Sequence, residues 1–245
     1  MISTVAALTL AMLAVQSPAP PKDVSPHSEH TVQVNGVKLH YLDWGGEGEP
    51  LVLLTGYGAT AHAFDHLAPR LTKRFRVVAF TRRGQAPSEI PPSGYDLATL
   101  TADVGAFLDG LGLRRVHLVG HSFGGVEMTQ LATLHPDRVI SLVYFDAAVD
   151  PAAAQAVLKE SPVPAPQAPP GSPFAQVNEW WATHSPDYSK LKSPILAFYA
   201  LQDRAPTTPK NASDELRQRN DEFWRAGAPR HRARGEMEKL YASIQ

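Results

Sequence analysis

The sequence predicts an α/β fold in which a mainly parallel sheet carries helices on both faces. Three observations predict it. The 245 residues are 43% hydrophobic and 19% charged, a globular composition long enough for one sizeable core. From Leu51 onward, short apolar runs alternate with segments of helical periodicity, the pattern of repeated strand–helix units. One of those strands, Val116 to Gly120, enters a helix through Gly120-His121-Ser122-Phe123-Gly124, a Gly-x-Ser-x-Gly set in a strand-to-helix turn.

Taken in order, Ile2 to Val15 is small and apolar except for Ser3, Thr4 and Thr9, and a Pro-rich stretch from Gln16 to Pro26 follows. The apolar run is too short to span a bilayer as a helix but has the length of a signal-peptide core. Residues 1–17 are therefore expected to be an export signal and 18–29 a linker, placing the protein in the periplasm or outside the cell. The first basic side chain is only Lys22, so the competing reading is an apolar extension of a cytoplasmic protein. No other segment approaches a transmembrane run, and no stable membrane span is expected.

The folded domain is expected over residues 30–245. Thr31 to Val34 and Val37 to Trp44 flank Asn35-Gly36, which suits a type I′ hairpin turn because both central residues need positive φ. Leu51 to Thr55 and Phe75 to Phe80 read as buried strands, with a short helix from Ala63 to Leu71 between them. Leu97, Leu100, Val104, Phe107, Leu108 and Leu111 follow a helical period, and Gly112 supplies a stop. Val116 to Gly120 is a strand, Phe123 to His135 a helix closed by Pro136, and Arg138 to Phe145 and Ile195 to Ala200 are further strands. Residues 150–192 break this rhythm. Ser161 to Pro173 is too Pro-rich for a helix or inner strand, so the stretch is expected to be a small irregular cap. Its Trp180 and Trp181 either shape a pocket or tuck into the core.

Composition excludes several functions. Lys+Arg 23 against Asp+Glu 24 leaves a net charge of −1, with no field of one sign for nucleic acid or an anionic membrane. Without cysteine there are no disulfides, thiolate metal sites or cysteine nucleophile. No His/Asp/Glu spacing resembles a metal site, and no metal or cofactor is expected. The expected partner is a small-molecule substrate.

A serine forced into a sharp strand-to-helix turn needs small neighbours on either side for the chains to pass. The turn lifts Oγ clear of the sheet, beside the free N–H groups of a helix start. The competing reading, a phosphate-binding turn, fits poorly because the segment is neither Gly-x-Gly-x-x-Gly nor followed by Lys-Ser/Thr. Ser122 is the candidate nucleophile.

Across most of its length the chain resembles the α/β-hydrolase family. Leu51-Val-Leu-Leu-Thr-Gly-Tyr-Gly58 is similar to the family's oxyanion strand and turn, with Thr55 where His is usual. Phe80-Thr-Arg-Arg-Gly-Gln-Ala-Pro-Ser88 is similar to an Asp-x-Arg-Gly-x-Gly-x-Ser turn, with Thr81 in the Asp position and Ala86 in the second Gly position. The resemblance implies an oxyanion hole built from the backbone N–H groups of Tyr57 and Phe123. It also implies a catalytic acid after a late strand, a position that Asp203 fits behind Ile195 to Gln202; Asp146, after Arg138 to Phe145, is the competitor. Family members acting on epoxides or haloalkanes use Asp where Ser122 stands, so those chemistries are not expected; carboxylic esters are the default expectation, with amides, lactones and C–C bonds equally open to the fold.

The implied histidine base is harder to place. The family carries it after one further strand, and no such apolar run follows Asp203. His231 lies 231 − 203 = 28 residues on, among arginines, and is the weak candidate. His184 is a second, His62 and His66 sit where they could edge the pocket, and His121 is expected to pack away from Oγ. Three readings stay open: a fragment whose last strand and histidine lie beyond Gln245, a serine hydrolase served by His231 or another histidine, and a non-catalytic binding protein on the same fold.

Overall fold

Asn35 and Gly36 both take positive φ, 43° and 78°, so the expected type I′ turn folds β1 (Ser28–Val34) back on β2 (Val37–Gly45). β1 begins inside the segment expected to be linker. The structure, a computed structural model, describes residues 25–147, 168–181 and 183–198. The hairpin opens a sheet that continues with β3 (Glu49–Leu54), β4 (Phe75–Phe80), β5 (Val116–His121), β6 (Val139–Phe145) and β7 (Ile195–Phe198). Among the described residues its seven strands run in the order β1-β2-β4-β3-β5-β6-β7. β2 meets β4 antiparallel, and every later pairing is parallel.

The apolar runs of the inner strands are continuous because both faces are covered. Val52, Leu54, Val78, Phe80 and Leu118 pack on one face with Val104, Phe107 and Leu108 of α2 (Leu97–Gly110) and with Met128 and Leu131 of α3 (Gly124–Leu134). The alternate residues Leu51, Leu53, Val77, Ala79 and Val119 pack on the other face with Ala61, Phe64 and Ala68. The helix expected from Ala63 to Leu71 is instead a 3-10 turn, Ala61–Phe64, followed by the single turn α1 (Ala68–Leu71). Pro69 stands in the first turn of α1, where its missing N–H costs nothing, and its ring blocks a continuous helix through it. The α2 reading holds: Asp96 caps it by accepting from Thr99 N–H at 2.9 Å, and Gly112 follows at φ 68°.

Within the region expected to be irregular, α4 (Pro173–Trp181) is a helix. The Pro-rich run ends where it starts, so Pro173 takes a first-turn position that prolines tolerate. Among the described residues no helix is long and apolar enough to cross a membrane.

Candidate active site

Ser122 sits between β5 and α3 with φ at 51°, a left-handed backbone that costs a side chain with a Cβ about 1–2 kcal/mol. Its side chain is exposed. The conformation is held from both ends. Ser122 N–H donates to Phe145 O at 3.2 Å, and Ser122 O accepts from Gly125 N–H at 3.0 Å. The glycines around it are there because nothing larger fits. A Cβ at Gly120 would lie 2.7 Å from Gly125 N, one at Gly125 would lie 2.6 Å from Ala147 O, and one at Gly124 would run into the Leu54 carbonyl. The steric reading of Gly-x-Ser-x-Gly is thus realised between β3, β5 and the α3 start.

β3 lies beside β5, pairing Leu54 with Gly120, and this delivers the Thr55-Gly56-Tyr57 turn to Ser122. A Cβ at Gly56 would come within 3.4 Å of the Ser122 Cβ and 3.0 Å of His121 Nδ1. Tyr57 packs edge-on against Phe123, ring centroids 5.2 Å apart. Burial of the Tyr57 phenol pushes its pKa up to about 12, against the opposing pull of the Arg82 charge. Among the described residues no side chain caps α3; Gly125 and Val126 N–H turn back to Ser122 O and Phe123 O, which leaves the Phe123 and Gly124 N–H groups as the donors at the helix start beside Ser122. Ser122, Phe123 and the Gly56–Tyr57 turn are therefore brought together.

A buried cation holds that turn. Arg82 Nε and Nη2 donate to Glu127 Oε1 and Oε2 at 3.0 and 2.5 Å, and Nη2 and Nη1 also reach Thr55 O and Gly56 O at 2.8 and 3.0 Å. The guanidinium lies 5.0 Å from the centre of the Phe123 ring. Neither Arg82 nor Glu127 stands out by motif, yet a signal exists: Glu127 is the one charged residue of α3 and lies on its buried side. A carboxylate there needs a cationic partner.

The profile of the α/β-hydrolase fold matches residues 49–167. Taken with the parallel sheet and the serine elbow, this decides the architecture. The chain carries the α/β-hydrolase fold. It is 34% identical over 119 residues to a soluble epoxide hydrolase of Corynebacterium sp. (strain C12), covering 49% of this chain and 41% of that one. It is 36% identical over 116 residues to a non-heme chloroperoxidase of Streptomyces lividans, covering 46% and 42%. The matched stretch therefore spans about two-fifths of the length of these curated relatives. Among solved structures it resembles a membrane phospholipase A described as a bacterial virulence factor. That likeness has a TM-score of 0.58 and 28% identity, over 71% of this chain and 70% of that one.

Above the α/β-hydrolase elbow, α4 sets aromatic rings against the residue that follows Ser122. Trp181 stacks on Phe123 at 5.0 Å and Trp180 lies 5.8 Å from it, while Phe174 faces Tyr57 at 5.2 Å. Trp180 Nε1–H is anchored on Tyr95 O at 2.8 Å. The two tryptophans therefore pack over the elbow, not into the sheet's core. His184 meets the edge of Trp180, centroids 5.7 Å apart, and His62 is turned toward His27.

Asp203 and His231 lie outside the described residues. Asp146 does not: it follows β6 at φ 49°, donates its N–H to Phe198 O at 2.7 Å, and directly succeeds the residue whose carbonyl accepts from Ser122.

Proposed function

We propose that this protein is a serine hydrolase that transfers the acyl group of an ester-like small molecule to water, with Ser122 as nucleophile. One observation carries the reading: a serine held in left-handed backbone beside both an uncapped helix start and the Gly56–Tyr57 turn. Ser122 Oγ attacks the substrate carbonyl while a histidine, His231, takes its proton. Asp203 orients that histidine, with Asp146 the second carboxylate suited to the role. Charge on the tetrahedral intermediate falls to the N–H groups of Tyr57 and Phe123, each such donor contributing about 2.7–4 kcal/mol. The alkoxide leaves with the proton returned by the histidine. Water, activated by the same base, then releases the acyl group and restores Ser122.

Likeness to a phospholipase A supports an ester substrate, and the Phe174, Trp180 and Trp181 rings suit an apolar acyl group. Similarity to an epoxide hydrolase does not carry epoxide opening here, because the resemblance assigns that chemistry to an aspartate at position 122. The second reading is a binding protein on the same fold, which would use the elbow and its aromatic cover without a working base.

Hydrolysis of p-nitrophenyl esters of graded acyl length separates the two. The enzyme reading expects turnover by the full chain that drops by order 10⁶ in kcat on Ser122→Ala, as when a triad serine is removed. Equal release by both proteins, or none by either, supports the binding reading.

A further inference from the structure

Three ligand-bearing side chains converge at the far end of the hairpin, independently of the acyl-transfer site. His27 precedes β1, Glu29 lies in it, and His62 lies in the 3-10 turn after the Tyr57 loop; one ligand atom from each falls within 4.8 Å of the others. The sequence shows no metal spacing because the set is assembled across 35 positions, 62 − 27 = 35. We propose that His27, Glu29 and His62 bind a divalent transition-metal ion, with Zn²⁺ the best match to two imidazoles and a carboxylate.

The surroundings match what a metal site needs. Ligating imidazoles are fixed by a hydrogen bond from the other ring nitrogen. Here His62 Nδ1 pairs with Asp65 Oδ2 at 3.0 Å, and His27 Nδ1 pairs with Ser25 Oγ at 2.9 Å. Ser25 Oγ is itself held by Trp44 Nε1–H at 3.2 Å. With both Nδ1 atoms engaged, Nε2 is the coordinating atom of each ring, and that of His27 is 3.8 Å from Glu29 Oε1. Ligand atoms around tetrahedral zinc stand roughly 3.3 Å apart, given bonds near 2 Å. Rotation of the exposed Glu29 side chain brings its carboxylate toward that spacing from His27.

His40 is the independent sign. It is 5% exposed and, among the described residues, its Nε2 makes no hydrogen bond, although it points at the same carboxylate, 3.5 Å from Glu29 Oε2. Its Nδ1 is engaged by Thr81 Oγ1 at 3.3 Å, and its ring lies 6.1 Å from that of His62. A buried imidazole nitrogen aimed at a carboxylate of the cluster suits a cation beside it, and with its Nε2 unprotonated His40 is placed to become a further ligand once Glu29 moves. The ion would fasten β1 to the turn that follows the Tyr57 loop.

Calorimetric titration of ZnCl₂ into the untagged, chelator-dialysed full chain tests this. Cobalt(II) spectra report the geometry. The expected result is saturable uptake of a single equivalent, with the visible bands of four-coordinate cobalt. Binding should weaken at least about 10-fold in Glu29→Gln, a surface change that leaves the fold intact, and about 10–100-fold in Asp65→Asn, which alters only an outer hydrogen bond. His27→Ala should abolish it. No saturable uptake by the wild-type chain, or uptake unchanged in Glu29→Gln and His27→Ala, would overturn the proposal.

Discussion

Arg82 grips Glu127 with two of its nitrogens and the Thr55 and Gly56 carbonyls with the same planar head. One buried cation thereby joins α3 to the turn that faces Ser122. The fork geometry makes this an arginine site, since a lysine offers one point charge where four acceptors are spread across a plane.

Breaking this pair from one side should cost far more than removing it whole. Arg82→Met leaves the Glu127 carboxylate buried and uncompensated, at about 3–5 kcal/mol, while the double variant Arg82→Met/Glu127→Leu should recover much of that loss. Urea unfolding of the two single variants and the double gives the coupling directly.

Strain at the elbow has its own signature. Ser122→Gly relieves the left-handed backbone and Ser122→Ala does not, so the glycine variant should be the more stable of the two by about 1 kcal/mol. Equal midpoints in denaturant would show that position 122 is unstrained.

Gly125→Ala adds one methyl group where the Ala147 carbonyl already stands. The expected cost is about 1–3 kcal/mol of overpacking. The same change at Gly112, where a Cβ meets nothing within 4 Å but φ is 68°, should cost only the backbone strain of about 1–2 kcal/mol. Thermal melts of both variants compare the two mechanisms at one chemistry.

Tyr57 should make the protein alkali-sensitive. Its phenol titrates near 12 when folded and near 10 when unfolded. Between these values the unfolded chain has lost a proton that the native state keeps, so stability falls as pH rises through the window. Tyr57→Phe should flatten the stability curve there, and ultraviolet difference titration against wild type should show one late-titrating phenolate.

Local chemistry made much of this legible. Asn35-Gly36 specifies its turn within two residues, the α2 stripe repeats over a whole helix, and the glycines about Ser122 mark a strand-to-helix crossing once the apolar strand before them and the helix after them are read together. What escaped was long-range or conditional. Pro69 splits a segment that reads as one helix, and Pro173 starts a helix that its neighbours in sequence disguise. Arg82 meets Glu127 only because β4 and α3 converge on the Thr55 turn. His27 and His62 carry no common pattern, since the 3-10 turn that aims His62 exists only once the opposite face of the sheet is packed.

The most direct test of the central claim is fluorophosphonate labelling of the purified full chain beside Ser122→Ala and His231→Ala. An activated serine predicts covalent labelling of the wild type at Ser122, none in Ser122→Ala, and a marked loss in His231→Ala. A well-folded wild-type chain that takes no label would contradict the nucleophile assignment.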